Sequence, residues 1–243
     1  MATGEIVAYQ VATLGINLVI VARRQEKLAK LARDLQHQYA IEVRTVSIDI
    51  NQQNFMELIE QACQGINIDL LVSNAGQPSH MGLFIERPFE EVETMLRFIT
   101  FVQVKLAHNY SRLMAARQSG GIIMVGSYAG YGPIPYMAEY SASKAFQLTS
   151  GEALHFELES SGVDLLVLSP GATKTERISF GMDAGPVVAL ALKSNGKRTS
   201  VVPGFKNQLT ILIGRYLKSR RKYLYDYGRL ISRMMPGWSQ GPK

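Results

Sequence analysis

Five short runs rich in aliphatic and β-branched residues constrain the fold of this chain more than any other feature. They cover residues 16–22, 42–48, 68–72, 122–126 and 163–168. Segments of helical periodicity separate them, at residues 25–39, 51–64, 88–117 and in the stretch that follows Tyr140. Strands that alternate with helices and are apolar along most of their length predict a parallel sheet covered on both faces. The sequence therefore predicts an α/β fold with a doubly wound, Rossmann-like sheet.

Length and composition favour a single α/β domain in a reducing compartment. The chain has 243 residues, of which 47% are hydrophobic, and this is enough for a sizeable core. Its one cysteine, Cys63, excludes an internal disulfide and is interpreted as a structural thiol in a helix. No apolar run approaches the ~18 residues of a membrane span, and the N-terminus lacks the basic start of a signal peptide. A cytoplasmic location is expected.

The stretch 127–144 carries the residues that indicate chemistry. Tyr140 follows Ser127 by thirteen positions, and Lys144 follows Tyr140 by four, which puts both on one helical face. A nearby ammonium favours the phenolate, so we expect a lowered pKa for Tyr140, and Ser127 can bind the oxygen that Tyr140 protonates. These groups suit carbonyl reduction or alcohol oxidation. A tyrosine and a lysine one turn apart are also common on an ordinary helix surface.

Further motifs follow two of the predicted strands. Asn74-Ala75-Gly76 comes after residues 68–72, and Pro170-Gly171 comes after residues 163–168. With Ser127 and the run Tyr140-Ser141-Ala142-Ser143-Lys144, these motifs make residues 4 to about 203 resemble the short-chain dehydrogenase/reductase family. The resemblance implies an oxidoreductase in which Ser127 holds the substrate oxygen and Tyr140 protonates it. Lys144 is then expected to depress the pKa of Tyr140 and to bind the nicotinamide ribose. Tyr140 is expected to contact the cofactor as well.

The resemblance also implies a set of cofactor-binding residues. At the end of the second family strand, where an acidic residue selects NAD, this chain has Arg23 and Arg24, which favours NADP(H) through a bond to the 2′-phosphate. The alternative is a solvated basic turn. The other expected cofactor contacts are Gly4, Asp49, Ile50, Asn74, Ala75, Gly76, Pro170, Gly171, Thr173 and Thr175. Asp49 could instead cap the helix after Ile50.

Two departures from the family pattern leave a second function open. Gly4, Ala8 and Gly15 match the end of the glycine-rich turn and the helix after it, so the first strand and part of that turn are expected to be missing. Either Met1 stands too late in a normal enzyme, which we favour, or the chain is natively short. Many family members have an asparagine that organises a water chain for proton relay. At the corresponding position this chain has Ile99, which cannot relay protons. The alternative function is a non-catalytic, dehydrogenase-like binding or scaffold protein.

The last forty residues differ from the rest in charge. Residues 204–243 hold nine Lys/Arg and a single acid, Asp226, whereas residues 1–203 are close to neutral. We therefore divide the chain into a dinucleotide-binding catalytic domain, 1–203, and a basic amphipathic tail, 204–243. The tail is expected either to lie on an anionic membrane surface or to pack as a helix on the domain or on a second subunit. No recognised nucleic-acid-binding motif accompanies the charge.

Substrate, partners and metals complete the expectations. The apolar region 176–191, which covers the substrate in the family, suggests a lipophilic ketone of steroid or acyl type. The long segment 88–117 is apolar on several faces, so homo-oligomers are expected to form through it and the Tyr140 helix. His37, His80, His108 and His155 have no metal-ligand spacing, and His80 is placed near the substrate cleft. No metal is expected.

Overall fold

The computed structural model of the chain describes residues 3–74, 81–176 and 178–234. Its strands are β1 (Leu18–Ala22), β2 (Val43–Ser47), β3 (Leu70–Ser73), β4 (Gly120–Val125), β5 (Val163–Leu168) and β6 (Ser200–Val201). Its α-helices are α1 (Thr3–Ala12), α2 (Gln25–Tyr39), α3 (Phe55–Ala62), α4 (Phe89–Leu96), α5 (Val102–Ala116), α6 (Ala138–Glu159), α7 (Ala184–Ser194), α8 (Phe205–Leu212) and α9 (Arg220–Met234). Shorter helical turns cover Phe84–Glu86, Arg97–Phe101, Tyr128–Tyr131 and Ile213–Leu217.

Every strand pairing is parallel, but the strands form two separate groups. β1 pairs with β2, with Leu18 opposite Val43. The second group has the order β3-β4-β5-β6. Within the described residues, nothing pairs with the free edge of β1 or with that of β3. A gap in the sheet between these edges is what the expected absence of the first family strand predicts.

The two groups nevertheless belong to one layer, because they share a core. Val19 and Val21 of β1 pack against the same buried cluster as Leu71 of β3. That cluster also holds buried side chains of α3, α5, β4 and β5. On the opposite face α1 and α2 cover β1 and β2, and α7 covers β3 to β5. The sheet is therefore covered by helices on both faces, as the alternating pattern predicted.

Helix and strand boundaries differ from the prediction where local side chains intervene. The helix predicted at residues 51–64 begins at Phe55, and its N-cap position is Asn54. Asp49 Oδ1 instead accepts a hydrogen bond from the Asn51 backbone N–H at 3.0 Å, which closes a turn before the helix. The proposal that Asp49 caps this helix is therefore wrong.

The predicted long helix is interrupted, and one helix was missed. Residues 97–101 form a π-helical turn between α4 and α5, in which the Val102 N–H donates to the Arg97 carbonyl. α7 occupies much of the region that was expected to cover the substrate. Its Val187, Val188 and Ala191 are buried on the sheet, so the apolar character of this part builds the core. Of the region expected to cover the substrate, residues 176 and 178–183 precede α7 and remain a candidate cover.

The C-terminal helices contact the loop between β4 and α6. The Tyr227 hydroxyl of α9 is hydrogen-bonded to the Tyr128 hydroxyl. Tyr223 stacks on Tyr227 with 5.5 Å between ring centroids, and a Cβ on Gly132 would lie 3.0 Å from the Tyr223 ring. In the part of the chain that the structure covers, no helix has the length and apolar character needed to cross a membrane.

Candidate active site

Ser127 lies where β4 ends, at the carboxyl edge of the parallel strands. It is buried, has extended backbone dihedral angles, and its Oγ accepts a hydrogen bond from the Ala129 N–H at 3.2 Å. The next residue, Tyr128, donates its N–H to the Pro170 carbonyl at 2.9 Å, which ties the loop after β4 to the loop after β5. Ser127 is thereby held at the edge where ligands bind in open α/β sheets.

Tyr140 and Lys144 lie one turn apart in the first part of α6, as predicted. Lys144 Nζ lies 5.8 Å from the centre of the Tyr140 ring, within the range of a cation–π interaction. The ammonium is buried and donates to the Gln147 Oε1 at 2.8 Å and to the Val125 carbonyl at 3.1 Å. The structure thus brings Ser127, Tyr140 and Lys144 together between β4 and α6.

The expected lowering of the Tyr140 pKa is not found in the free chain. Burial raises the pKa of Tyr140, the hydrogen bond with Ser127 lowers it in part, and the neighbouring Tyr128 raises it further. The reason is that Lys144 directs its hydrogen bonds to Gln147 and Val125 and places its charge beside the ring. Burial also lowers the pKa of Lys144 to about 8. In this state Tyr140 is a protonated acid at neutral pH.

Ile99 lies in the π-helical turn and is fully buried. With Met95 and Phe98 it forms an apolar cluster against which Ile50 and Tyr140 pack. The neighbouring Thr100 hydroxyl donates back to the Leu96 carbonyl at 2.6 Å. The position predicted for the relay asparagine is therefore filled by an apolar side chain, in a cluster against which Tyr140 packs.

Gly4 and Asn74 meet at the same edge of the sheet. Gly4 stands in the first turn of α1, and a Cβ there would lie 3.1 Å from the Asn74 Nδ2. Asn74 follows β3 directly. A glycine at a helix N-terminus beside a strand end is a backbone surface that a phosphate can approach, so these residues fit a dinucleotide. Ala75, Gly76 and His80 lie outside the described residues.

Arg23 and Arg24 are exposed between β1 and α2, at the carboxyl end of β1. The Arg23 carbonyl accepts a bond from the Ser47 hydroxyl at 3.3 Å, and Asp49 is exposed after β2. Lys27, in the first turn of α2, forms an ion pair with Glu176 at 3.0 Å. The hydrogen bond from Lys27 and its charge, with a smaller contribution from Arg24, lower the pKa of Glu176. The two predicted arginines are therefore exposed at the edge of the sheet where Gly4 and Asn74 also lie.

The residues after β5 line the other side of this edge. The Thr173 hydroxyl donates to the Gly171 carbonyl at 3.0 Å, and Thr173 is buried. Gly171 packs closely on α8, since a Cβ there would lie 2.6 Å from the Asn207 side chain. The Thr175 hydroxyl accepts a bond from the Ile178 N–H at 3.3 Å. These contacts hold residues 171–176 and 178 beside the site.

Sequence reasoning did not identify three groups at this site. Gln147 is fully buried against Lys144, and its position three residues later on the same helical face was the available signal. Tyr227 reaches the loop after Ser127 from the distant C-terminal helix, which spacing could not indicate. Arg87 forms a buried ion pair with Glu139, the residue before Tyr140. Among the described residues, no cluster of three His, Cys, Asp or Glu side chains could hold a metal ion.

Comparison with known proteins places this architecture in a family. The profile of the short chain dehydrogenase family matches residues 2–180. The chain is 31% identical over 219 residues to a 7beta-hydroxysteroid dehydrogenase of Collinsella aerofaciens, which covers 84% of this chain and 83% of the relative. The chain belongs to the short-chain dehydrogenase/reductase family and is an oxidoreductase. These findings support hydride transfer and not the alternative of a non-catalytic scaffold protein.

Solved structures agree with this assignment. A structure from work on 7beta-hydroxysteroid dehydrogenase stereoselectivity superposes with a TM-score of 0.87 and 28% identity, covering 93% of this chain and 92% of the other. A short-chain dehydrogenase from Sphingobium yanoikuyae in complex with NADPH gives a TM-score of 0.77 and 25% identity, covering 99% of this chain and 95% of the other. The resemblance, the fold and the function class predicted from the sequence are confirmed.

Proposed function

We propose that this chain transfers a hydride between NADP(H) and a ketone or secondary alcohol on a lipophilic substrate. The observation that carries the proposal is the convergence of Ser127, Tyr140 and Lys144 between the carboxyl end of β4 and the first part of α6. A proton donor, an oxygen-binding hydroxyl and a buried ammonium at one edge of a parallel sheet are the groups that carbonyl reduction needs.

Each side chain has a separate task in this reaction. The nicotinamide, when bound, supplies or accepts the hydride. Ser127 binds the substrate oxygen through its hydroxyl, and Tyr140 donates the proton that this oxygen takes up in reduction. Burial keeps Tyr140 protonated at neutral pH, which suits an acid, and the hydrogen bond from Ser127 favours its ionised form in the reverse direction. Lys144 lies close enough to stabilise that anion and to bind the ribose.

NADP(H) is preferred to NAD(H) in this proposal because two guanidinium groups replace the usual carboxylate. Arg23 and Arg24 are exposed at the end of β1. A guanidinium binds a phosphate through two parallel hydrogen bonds and gains from its charge. Gly4, Asn74, Asp49 and Ile50 would hold the rest of the dinucleotide on one side. Pro170, Gly171, Thr173 and Thr175 would contact it on the other.

The proposed substrate is bulky and apolar, of the steroid type. The segment 171–183 exposes Ile178 and Phe180, the latter at 64% of its full area. Tyr128 and Tyr227 add aromatic surface on the α9 side of Ser127. A related protein acts as a 7beta-hydroxysteroid dehydrogenase. These features favour a large flat ketone over a small one.

Assembly and location belong to the same proposal. We infer a homo-oligomer that pairs through α5 and α6, and a catalytic domain 1–203 whose basic tail 204–243 binds an anionic membrane surface from the cytoplasmic side. Exposed apolar residues of α5 and α6 support the first inference, and exposed basic residues of α9 support the second. Nothing in the tail supports nucleic acid as the partner.

The test is NADPH oxidation against a panel of ketones, from acetoin-sized molecules to keto-steroids, with Tyr140→Phe as the matched variant. The substitution removes the proton donor and keeps the ring, so turnover should fall by about 10²-fold or more. NADPH affinity, measured by fluorescence titration, should be preserved. Tyr110→Phe is the control, because it removes a buried hydroxyl that bonds Cys63 away from the site. Turnover of Tyr140→Phe within a few-fold of the unaltered chain would refute the mechanism.

A further inference from the structure

The ammonium of Lys144 is buried, and among the described residues it has no acidic partner. Its residue is 3% exposed, and Nζ makes two hydrogen bonds, to the Val125 carbonyl at 3.1 Å and to the Gln147 Oε1 at 2.8 Å. Burial is the cause of the lowered pKa of Lys144. A buried charge is tolerated only where polar groups replace the lost water, so these two oxygens stabilise the ammonium in place of water.

Gln147 is unusual in its own right. It is fully buried in the middle of α6, although glutamine is rarely found fully buried. Its Oε1 accepts from Lys144, and in the described part of the chain its Nε2 has no hydrogen-bond partner. A leucine would fill this volume without leaving a buried amide unsatisfied. The glutamine is therefore costly for stability, and its one visible contribution is the bond to the ammonium.

In the described part of the chain, the elements around Lys144 offer no substitute for the Gln147 oxygen. The titratable group that faces the ammonium is the phenol of Tyr140, at 5.8 Å from ring centre to Nζ. Tyr128 lies beside Tyr140, and Ile99 of the π-helical turn is apolar. The other titratable groups of the elements packed on α6 are exposed or bonded elsewhere. Those at the surface are Glu90, Glu91, Glu93, Arg97, His108, Arg112 and Asp164. Those bonded elsewhere are Lys105 over Phe55, Glu139 with Arg87, Tyr110 with Cys63, and Tyr131 with Ser200.

We propose that Gln147 is a positioning residue that keeps the Lys144 ammonium charged and fixes it between α6 and the end of β4, and so sets the upper pH limit of the reaction. The part that concerns the reaction rests on the proposed function. The part that concerns the charge of Lys144 can be tested on the protein alone.

The first measurement is the titration of Lys144 itself, by NMR of the full chain with ¹³C-labelled lysine, its signal being assigned from its loss in Lys144→Met. In the unaltered chain the signal should titrate near 8. Gln147→Leu removes an acceptor from the charged form and should lower the midpoint by about one pH unit. Gln147→Glu supplies a carboxylate and should raise it by about one unit. Damage to the fold would not move the two variants in opposite directions.

The second measurement is the pH profile of turnover. The ammonium is lost as pH rises through the pKa of Lys144, so the alkaline limb should move to lower pH in Gln147→Leu and to higher pH in Gln147→Glu. Ser150→Ala is the control, because it removes a hydroxyl of α6 that donates to the Phe146 carbonyl at 2.7 Å. Its midpoint and its limb should match those of the unaltered chain.

The outcomes separate the two proposals. Midpoints that stay in place, or that move together in both Gln147 variants, overturn the role of Gln147 whether or not the protein turns over ketones. Opposite NMR shifts in a chain that reduces no ketone uphold the control of charge by Gln147 and count against the proposed function. Opposite NMR shifts with unchanged alkaline limbs overturn the statement about the reaction.

Discussion

Lys144, Tyr140 and Ser127 illustrate what residue spacing encodes and what it leaves out. A separation of four along a helix fixes two side chains on one face, so the pairing of Tyr140 with Lys144 was predictable. The direction of the ammonium was not, because it depends on Val125 of a strand and on Gln147. The predicted direction of the Tyr140 pKa shift was also wrong, because burial raises this pKa by more than the hydrogen bond with Ser127 lowers it.

We also expect a single residue, Arg23, to decide the preference between NADPH and NADH. Replacing Arg23 with aspartate should shift preference from NADPH to NADH, because a carboxylate repels the 2′-phosphate and accepts hydrogen bonds from ribose hydroxyls. Loss of a bidentate, charge-assisted contact predicts a decrease in NADPH affinity of about 10-fold or more. Fluorescence titration with both cofactors measures the ratio directly.

The control for this substitution is Arg33→Asp, the same charge change at an exposed position of α2. It should leave the ratio of the two affinities near that of the unaltered chain. Equal ratios in Arg23→Asp and Arg33→Asp would assign the Arg23-Arg24 pair to a solvated basic turn, which was the alternative interpretation of the sequence.

At the scale of an element, the periodicity of apolar residues predicted the helices and strands that have one clear pattern. α2 and β5 begin and end at the predicted residues, since each has one clear pattern and a turn at both ends. The π-helical turn at residues 97–101 was invisible, because an inserted residue in a helix leaves the apolar pattern nearly intact. α7 was missed because its apolar residues were assigned to substrate cover and not to the core.

The α5–α6 surface should pair two copies of the chain. A groove of about 430 Å³ lies between the π-helical turn, α5 and α6, and is lined by Leu96, Thr100, Phe101, Val104, Ala142, Ser143 and Phe146. Phe101 and Phe146 are exposed to 51% and 43%, and apolar surface of this kind favours association. We expect a dimer or a larger symmetric oligomer by light scattering at micromolar concentration, and a monomer for the double variant Val104→Glu/Phe146→Glu.

Leu14→Glu is the matched control, because Leu14 is 64% exposed after α1, away from this groove. It introduces the same type of charge and should not change the mass in solution. A monomeric unaltered chain, or an oligomer that the double variant leaves intact, would show that this surface is not the interface.

At the scale of the whole molecule, one core spans two groups of strands. Val19 and Val21 pack with the same cluster as Leu71, although the edges of β1 and β3 are not paired with each other. The apolar residues of these edge strands are only partly buried, whereas Leu165, Leu166 and Val167 in the paired interior are fully buried. Parallel sheets are normally buried on both faces, and by that measure β1 and β3 are less buried than β5.

The charge of the molecule is concentrated in its last helices. α9 turns Tyr227 and Ile231 toward the domain and leaves its basic residues exposed, among them Arg220, Arg221, Lys222 and Arg229. Both alternatives for the tail therefore have support in one helix: its inner face packs on the loop after Ser127, and its outer face is free to meet an anionic surface. Attachment there would place the loop after Ser127 close to a bilayer, where lipophilic ketones dissolve.

The tail should bind anionic vesicles weakly and reversibly. Each basic residue near the surface contributes about 1 kcal/mol, and exposed Leu212, Tyr216 and Leu217 add apolar contact. This attraction is screened beyond about 8 Å at physiological salt, so binding should require anionic lipid and decrease as salt rises. Co-sedimentation with phosphatidylserine and phosphatidylcholine vesicles should show both dependences.

The variant R220Q/R221Q/K222Q/R229Q should lose most of the binding, because it removes four charges and keeps the inner face. The variant K30Q/R33Q/K197Q/R198Q removes four exposed charges from the catalytic domain and should retain it. Equal losses in the two variants, or no effect of salt, would make α9 a packing element alone.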